Sequence, residues 1–173
     1  PDETIQHAGI VTGLGGYEGH SHKYKKKGGS GYLFRTSTVQ DFSGVTGACL
    51  LVKTAVYDEM HGLDEQFAVA FNDVDFCLRV RDAGYRIAWT PYAELIHYES
   101  KSRGGDEKDP VKAARFAAEQ QRLYTIHGKE NILDDPYYNP NLTRDREDFS
   151  ESDDLRRLKE GRVTVRFRGG ILQ

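Results

Sequence analysis

One stretch, residues 72–84, constrains the fold more than any other part of this 173-residue chain. It begins with Asn72-Asp-Val-Asp75, side chains that commonly cap a helix start, and it ends with Gly84, a residue type that commonly follows a helix. The apolar residues between them recur at helical spacing and share one face. The sequence therefore predicts a helix over residues 73–83, with two carboxylates in its first turn.

Turn-forming residues divide the rest of the chain into short segments of alternating type. Asp109-Pro110 predicts the start of a second long helix, which Gly128 ends, and Thr54 predicts the start of a short helix that ends at Gly62. The stretch 13–31 contains seven glycines, so we expect a mobile loop that packs no core. Five runs have strand length: 5–12, 32–34, 47–52, 85–90 and 93–98. Strands that alternate with helices predict an α/β fold.

Composition excludes several classes of function. The net charge of -3 and the pI of about 6.1 leave no general basic field of the kind that binds nucleic acid. Cys49 and Cys77 both lie in apolar runs, as reduced and buried cysteines do. No apolar stretch approaches the roughly 20 residues that span a bilayer. We therefore expect a cytoplasmic protein whose partners are not nucleic acids.

The first turn of the predicted helix carries Asp73 and Asp75, where backbone N–H groups and the helix dipole favour the charged form of a carboxylate. A carboxylate at a loop-to-helix junction can accept a proton from a bound hydroxyl group. The same two residues can instead serve only to satisfy the helix end. The pattern also matches the start of a calcium-binding loop, but the glycine and the distal glutamate of such a loop are missing.

His97 follows an apolar run and precedes a polar stretch, which predicts an imidazole at the end of a strand. Such an imidazole can bind a metal ion, although a half-buried histidine with a structural hydrogen bond fits the same pattern. No other histidine or carboxylate lies at a familiar ligand spacing from it. The residues alone therefore do not predict a complete metal site.

Two polar turns complete the set of candidate residues. Asp64 and Glu65 follow a glycine-containing turn and can accept hydrogen bonds from sugar hydroxyl groups. Ser102 and Arg103 can close on a phosphate, because the arginine fork suits bidentate contact. Both turns fit solvated surface equally well.

Six segments, in matching order and spacing, resemble the second half of the GT-A catalytic domain of family 2 glycosyltransferases. They are Thr46-Gly-Ala-Cys-Leu-Leu-Val, Gly62-Leu-Asp-Glu-Gln-Phe, Asn72-Asp-Val-Asp-Phe-Cys-Leu-Arg, Ala83-Gly-Tyr-Arg-Ile, Thr90-Pro-Tyr-Ala and His97-Tyr-Glu-Ser-Lys-Ser-Arg-Gly. The resemblance covers residues 5–142, and its flanking segments are similar to bacterial members used in surface polysaccharide assembly. Asn72-Asp73 stands where members often have Glu-Asp, so the carboxylate of interest is kept.

The resemblance implies an inverting, metal-dependent transferase on a mixed, Rossmann-like sheet flanked by helices. Such an enzyme moves a sugar from a nucleotide-sugar donor to a glycan or lipid-linked acceptor, in the cytoplasm and at the periphery of the inner membrane. Asp73 matches the catalytic base, and His97 matches a ligand of Mn²⁺ or Mg²⁺. The remaining matches are two pairs of residues: Asp64 and Glu65 at the acceptor, and Ser102 and Arg103 near the diphosphate.

The nucleotide-binding strands and the Asp-x-Asp metal motif of the family precede the matching region, and nothing before Ile5 provides them. The chain also begins at Pro1 without an initiator methionine, so we expect the natural N-terminus elsewhere and an isolated chain that is inactive. We assign residues 1–142 to the acceptor-side half of the domain and residues 143–173 to a charged tail or linker. Two alternatives stay open: a non-catalytic carbohydrate-binding or assembly module, and self-association through an exposed sheet edge.

Overall fold

The computed structural model of the chain describes residues 3–98 and 109–152. Its strands are β1 (Ile10–Thr12), β2 (Glu18–His20), β3 (Gln40–Asp41) and β4 (Ala88–Trp89). Its α-helices are α1 (Thr54–Glu59), α2 (Asn72–Asp82), α3 (Pro110–His127) and α4 (Lys129–Leu133). Three 3-10 turns lie between them, at Leu14–Gly16, Tyr32–Phe34 and Gly47–Cys49.

The strands form two small antiparallel sheets. β1 pairs with β2, with Ile10 opposite His20, and β3 pairs with β4, with Gln40 opposite Trp89. An isolated bridge between Ile10 and Gly44 links the first sheet to the segment that follows β3. The fold is therefore mixed α/β, as the sequence predicts, with short paired segments in the described ranges where a broader mixed sheet was expected.

The helix predictions are confirmed closely. α2 begins and ends one residue before the predicted limits, and Phe71, in the left-handed region at φ 63°, occupies the position before its first turn. α3 begins at Pro110, and the side chain of Asp109 accepts a hydrogen bond from the Val111 N–H group, as a helix cap does. α1 begins at Thr54, but Lys53 precedes it and provides no side-chain cap.

Three strand predictions are wrong; two of them concern residues 32–34 and 47–52, and the third, residues 93–98, is described with His97 below. Residues 32–34 form a 3-10 turn in which Leu33 and Phe34 have positive φ angles of 46° and 61°. Residues 47–52 begin with a 3-10 turn, after which Leu50 is extended and Leu51 is fully exposed. A run of apolar residues predicts a buried strand only if another segment pairs with it, and no described segment pairs with this one.

The glycine-rich stretch 13–31 is also more ordered than predicted, because it contributes β2 and several buried side chains, among them Leu14, Ser21 and His22. Gly13 shows why this stretch needs glycine. Its φ angle is 84°, and a Cβ atom there would lie 2.9 Å from the Leu133 carbonyl oxygen. The close approach of the two backbones places α4 against β1.

Among the described residues, three clusters of buried apolar side chains form the core. The central cluster joins β1 and α2 to α3 and α4 through residues such as Ile10, Leu78, Leu123 and Ile132. A second surrounds Phe42, and a third lies under the Cys77 face of α2. Cys77 is buried as predicted, but Cys49 is exposed, because it lies in the 3-10 turn and not in a strand; both are free.

Residues 143–152 pack against the body of the domain, although the sequence assigns them to a tail. Phe149 is buried and stacks on Tyr32, with ring centroids 5.1 Å apart, and on His22 at 4.4 Å. Leu142 bridges to Glu151. Within residues 3–98 and 109–152, none of the helices combines the length and apolar character that crossing a membrane requires.

Candidate functional site

The candidate base, Asp73, lies half-buried in the first turn of α2. Its Oδ1 atom accepts a hydrogen bond from the Val74 N–H group at 2.9 Å, and its Oδ2 atom accepts one from the Gly47 N–H group at 2.7 Å. Gly47 is exposed, so this carboxylate borders solvent where the 3-10 turn meets the helix. Two fixed donors orient the group and leave lone pairs that can accept a hydrogen bond from a hydroxyl group.

The segment 68–70, which precedes α2, is held by Glu119 of α3, whose side chain is buried. Its Oε1 atom accepts hydrogen bonds from the N–H groups of Ala68 and Val69, at 3.1 and 3.3 Å, and its Oε2 atom accepts one from Ala70 at 2.7 Å. A buried carboxylate with three donors is well satisfied. Glu119 thereby fixes residues 68–70, which lie just before α2.

Asp75, the second carboxylate of the turn, points inward and is almost fully buried. Arg79 donates to its Oδ2 atom at 2.7 and 2.9 Å, and Nε2 of His127 lies 2.8 Å from its Oδ1 atom. Burial works against the charged form, but the hydrogen bonds from His127 and Arg79 outweigh it and hold the Asp75 pKa below its ordinary value. Asp75 therefore ties α2 to α3, and it pairs with Arg79 at the four-residue spacing at which opposite charges on a helix meet.

A third carboxyl group, that of Glu18 on β2, lies within electrostatic range of Asp73. Its Oε2 atom is buried and has no hydrogen-bond partner within the described part of the chain. Burial, with smaller contributions from the charges of Asp73 and Glu147, raises the Glu18 pKa to about 7 against the opposing effect of Lys23. Glu18 thus titrates near neutral pH within electrostatic range of the candidate base.

The turn that holds Asp73 is anchored on its other side by a pair of histidines. The Thr46 N–H group donates to Nε2 of His7 at 3.3 Å, and the Gly9 N–H group donates to the same atom at 3.2 Å. Nδ1 of His7 lies 3.2 Å from Nδ1 of His20. Burial, with a smaller contribution from His20, lowers the His7 pKa to about 3, so His7 is a neutral acceptor at physiological pH.

The candidate metal ligand, His97, is exposed and lies in a segment without regular secondary structure. The predicted strand over residues 93–98 is therefore wrong, since those residues have no strand partner in the described chain. Nδ1 of His97 lies 2.6 Å from Oε1 of Gln6. Because Gln6 precedes His7, one dipeptide connects His97 with the turn that orients Asp73.

The predicted acceptor residues lie on the surface before α2. Asp64 is half-buried; its Oδ1 atom accepts from the Gln66 N–H group at 2.9 Å, and its Oδ2 atom accepts from Arg122 at 2.6 Å. The hydrogen bond from Arg122 is the main reason that the Asp64 pKa lies below its usual range. Glu65 is exposed. Asp64 is thus held by α3, whereas the Glu65 side chain faces solvent.

Ser102 and Arg103 lie outside the described residues. Within the described ranges, no group of three or more His, Cys, Asp and Glu side chains is arranged to hold a metal ion. His97 is accordingly one candidate ligand and not part of a protein-made cage.

Four residues of the site were not predicted from sequence: Gln6, His7, Glu18 and Glu119. Each acts on a segment far away in the chain; the Gln6–His97 contact, for example, joins residues 91 positions apart. Glu119 gives one weak signal, since it is an acidic residue on the face of α3 that also carries the buried Leu123. Gln6 and His7 lie in the run predicted as a strand and Glu18 lies in the glycine-rich stretch, and neither pattern marks a residue of a site.

Comparison with known proteins finds relatives that are much longer than this chain. It is 48% identical over 150 residues to the uncharacterized protein y4gI of Sinorhizobium fredii, a match covering 86% of the chain and 16% of that protein. It is 34% identical over 144 residues to the O-antigen biosynthesis protein RfbC of Myxococcus xanthus, covering 83% of the chain and 11% of that protein.

A shorter match, 32% identical over 80 residues, is to an N-acetylglucosaminyl-diphospho-decaprenol L-rhamnosyltransferase of Mycobacterium tuberculosis. It covers 46% of the chain and 24% of that protein. No protein-family model and no solved structure matches the chain.

Proposed function

We propose that this chain is the acceptor-side part of a GT-A glycosyltransferase domain. The complete protein would transfer a sugar from a nucleotide-sugar to an acceptor hydroxyl group, with inversion at the anomeric carbon. The similarity to an O-antigen biosynthesis protein and to a rhamnosyltransferase supports a glycosyltransferase role and a glycan or lipid-linked acceptor. We place this activity in bacterial surface polysaccharide biosynthesis, on the cytoplasmic side of the inner membrane.

The carboxylate of Asp73 carries the proposal. It is half-buried at a loop-to-helix junction, it is oriented by the N–H groups of Gly47 and Val74, and Gly47 beside it is exposed. In the proposed reaction Asp73 takes the proton of the acceptor hydroxyl group while that oxygen bonds to the anomeric carbon. The bond from that carbon to the nucleoside diphosphate breaks on the opposite face, so the configuration inverts.

The described residues offer only some of the ligands that a divalent cation needs. His97 offers one exposed imidazole, and the diphosphate of the donor would have to provide most of the remaining ligands, as phosphates commonly do for Mg²⁺. A bound Mn²⁺ or Mg²⁺ would neutralise the charge that develops on the leaving diphosphate. We assign His97 to this ion and Ser102 and Arg103 to the diphosphate. Asp64 and Glu65 would border the acceptor, with Glu65 available to sugar hydroxyl groups.

The test is sugar transfer by the complete natural protein that contains this chain. We expect Asp73→Asn to lower kcat by 10²-fold or more, because a general base typically contributes about 10² to 10⁴. Asp82→Asn, the same change at the exposed end of α2, is the matched control and should leave the rate within about twofold. Isothermal titration with nucleoside diphosphates and Mn²⁺ measures donor binding separately.

Two results would refute this assignment. An Asp73→Asn protein with unchanged kcat would remove Asp73 as the base. Glycan binding by the wild-type protein without nucleotide-sugar turnover or Mn²⁺ dependence would favour the non-catalytic carbohydrate-binding module.

A further inference from the structure

The Gln6–His97 contact determines which nitrogen of the imidazole is available. The amide oxygen Oε1 of Gln6 can only accept a hydrogen bond, and Nδ1 of His97 lies 2.6 Å from it. Nδ1 therefore carries the ring proton. In a neutral imidazole the other nitrogen, Nε2, then has a free lone pair, which is the form that binds a metal ion.

Gln6 is itself held by its neighbour in the chain. His7 is half-buried, and its Nε2 atom accepts the N–H groups of Gly9 and Thr46, so its own proton is on Nδ1. That nitrogen faces Nδ1 of His20, and the two rings meet edge to face with centroids 4.9 Å apart. A side chain bonded through both ring nitrogens fixes the backbone at Gln6.

Two consecutive backbone N–H groups, those of Thr46 and Gly47, connect His7 to the carboxylate of Asp73. The Thr46 N–H group donates to His7, and the next one, from Gly47, donates to Asp73 at 2.7 Å. Contacts from Gln6 and His7 thus reach both the imidazole and the carboxylate of the site. A shift of this dipeptide would disturb the two groups together.

We propose that Gln6 is a positioning residue for a divalent cation, because it fixes His97 in the tautomer that leaves Nε2 free to bind the ion. His7 holds both Gln6 and the turn that orients Asp73 in place. The role of the cation in sugar transfer rests on the proposed function, whereas the tautomer does not. Hydrogen-bond partners of this kind orient metal-binding histidines, and their loss typically costs 10-fold to 100-fold in metal affinity.

The experiment is ¹⁵N NMR of the histidine rings in this chain, at neutral pH and without metal, with His97→Ala to assign the His97 signals. We expect Nδ1 of wild-type His97 to be protonated and Nε2 unprotonated. Gln6→Leu, which removes the acceptor, should shift the proton towards Nε2, whereas Gln6→Glu, which keeps an oxygen acceptor, should preserve the wild-type form. Gln121→Leu, the same change at an exposed position of α3, is the control.

Mn²⁺ added with a nucleoside diphosphate then serves as the probe, through paramagnetic broadening of the His97 ring signals. The Mn²⁺ concentration for half-maximal broadening should rise about 10-fold or more in Gln6→Leu and stay within about threefold in Gln6→Glu. A His97 proton on Nε2 in the wild type, an unchanged tautomer in Gln6→Leu, or no Mn²⁺ broadening in the wild type would each overturn the inference. Lack of sugar transfer by the complete wild-type protein, with the expected tautomer and broadening, would refute the proposed function alone.

Discussion

Replacing Glu18 with glutamine should stabilise the fold at pH 8 and leave its stability nearly unchanged at pH 4. The Oε2 atom of Glu18 is buried, and no partner for it lies in the described ranges. The charged groups around it are Asp73 at the start of α2, Glu147 in the segment after Leu142, and Lys23 beyond β2. Burial and the two acids together keep the Glu18 pKa at about 7, against an ordinary value of 4.5.

The sign follows from proton binding. Between pH 4.5 and about 7 the folded state holds the Glu18 proton more tightly than the unfolded state does, so the free energy of unfolding falls as pH rises through this window. The stabilising contribution is fully present below pH 4.5 and is lost above about pH 7. At about 1.4 kcal/mol for each pKa unit, the loss is about 3 kcal/mol. A glutamine side chain does not ionise, so the Glu18→Gln protein does not lose this stability as pH rises.

The assay is urea unfolding of both proteins from pH 4 to pH 8.5, followed by the fluorescence of Trp89, the one tryptophan of the chain. The lowered pKa values of His7 and His22, about 3 and 4, destabilise the fold as pH falls below 6.5. That effect is common to both proteins and cancels in the difference. Glu130→Gln, at an exposed position of α4, is the control and should shift stability by less than about 0.5 kcal/mol at every pH.

A difference between Glu18→Gln and wild type that stays flat from pH 4 to pH 8.5 would contradict the burial argument. So would a glutamine variant that is less stable than wild type at pH 8. Adding Asp73→Asn gives a second check. Removing that charge should lower the Glu18 pKa and shift the pH-dependent window downward.

Three further changes test other parts of the structure. Asp75→Ala should lower the free energy of unfolding by about 3–5 kcal/mol in urea titrations, because Arg79 and His127 would lose a buried partner; a loss under about 1 kcal/mol would contradict this. Glu119→Ala should speed hydrogen exchange at residues 68–70, whose three N–H groups would lose their acceptor, and unchanged exchange would disprove that role. If the exposed apolar side chain of Leu51 causes self-association, Leu51→Lys should lower the molar mass measured by light scattering, whereas a monomeric wild type would rule this out.

The sequence by itself determined the helices and their local contacts. The cap at Asp109, the glycines after α2 and α3, and the Asp75–Arg79 pair all involve residues within a few positions of each other. Such interactions form wherever the segment is helical, so pattern and spacing are enough to predict them. The placement of Asp73 in the first turn of a helix follows for the same reason.

The tertiary structure decided what surrounds those helices. The apolar run 47–52 became a turn with an exposed Leu51 because a strand needs a partner, and the sequence of the run does not contain one. The raised pKa of Glu18 and the contacts of Glu119 and Gln6 depend on groups 49 or more positions away. Burial and long-range hydrogen bonds exist only after the chain has folded, and for this reason the order of residues alone did not reveal them.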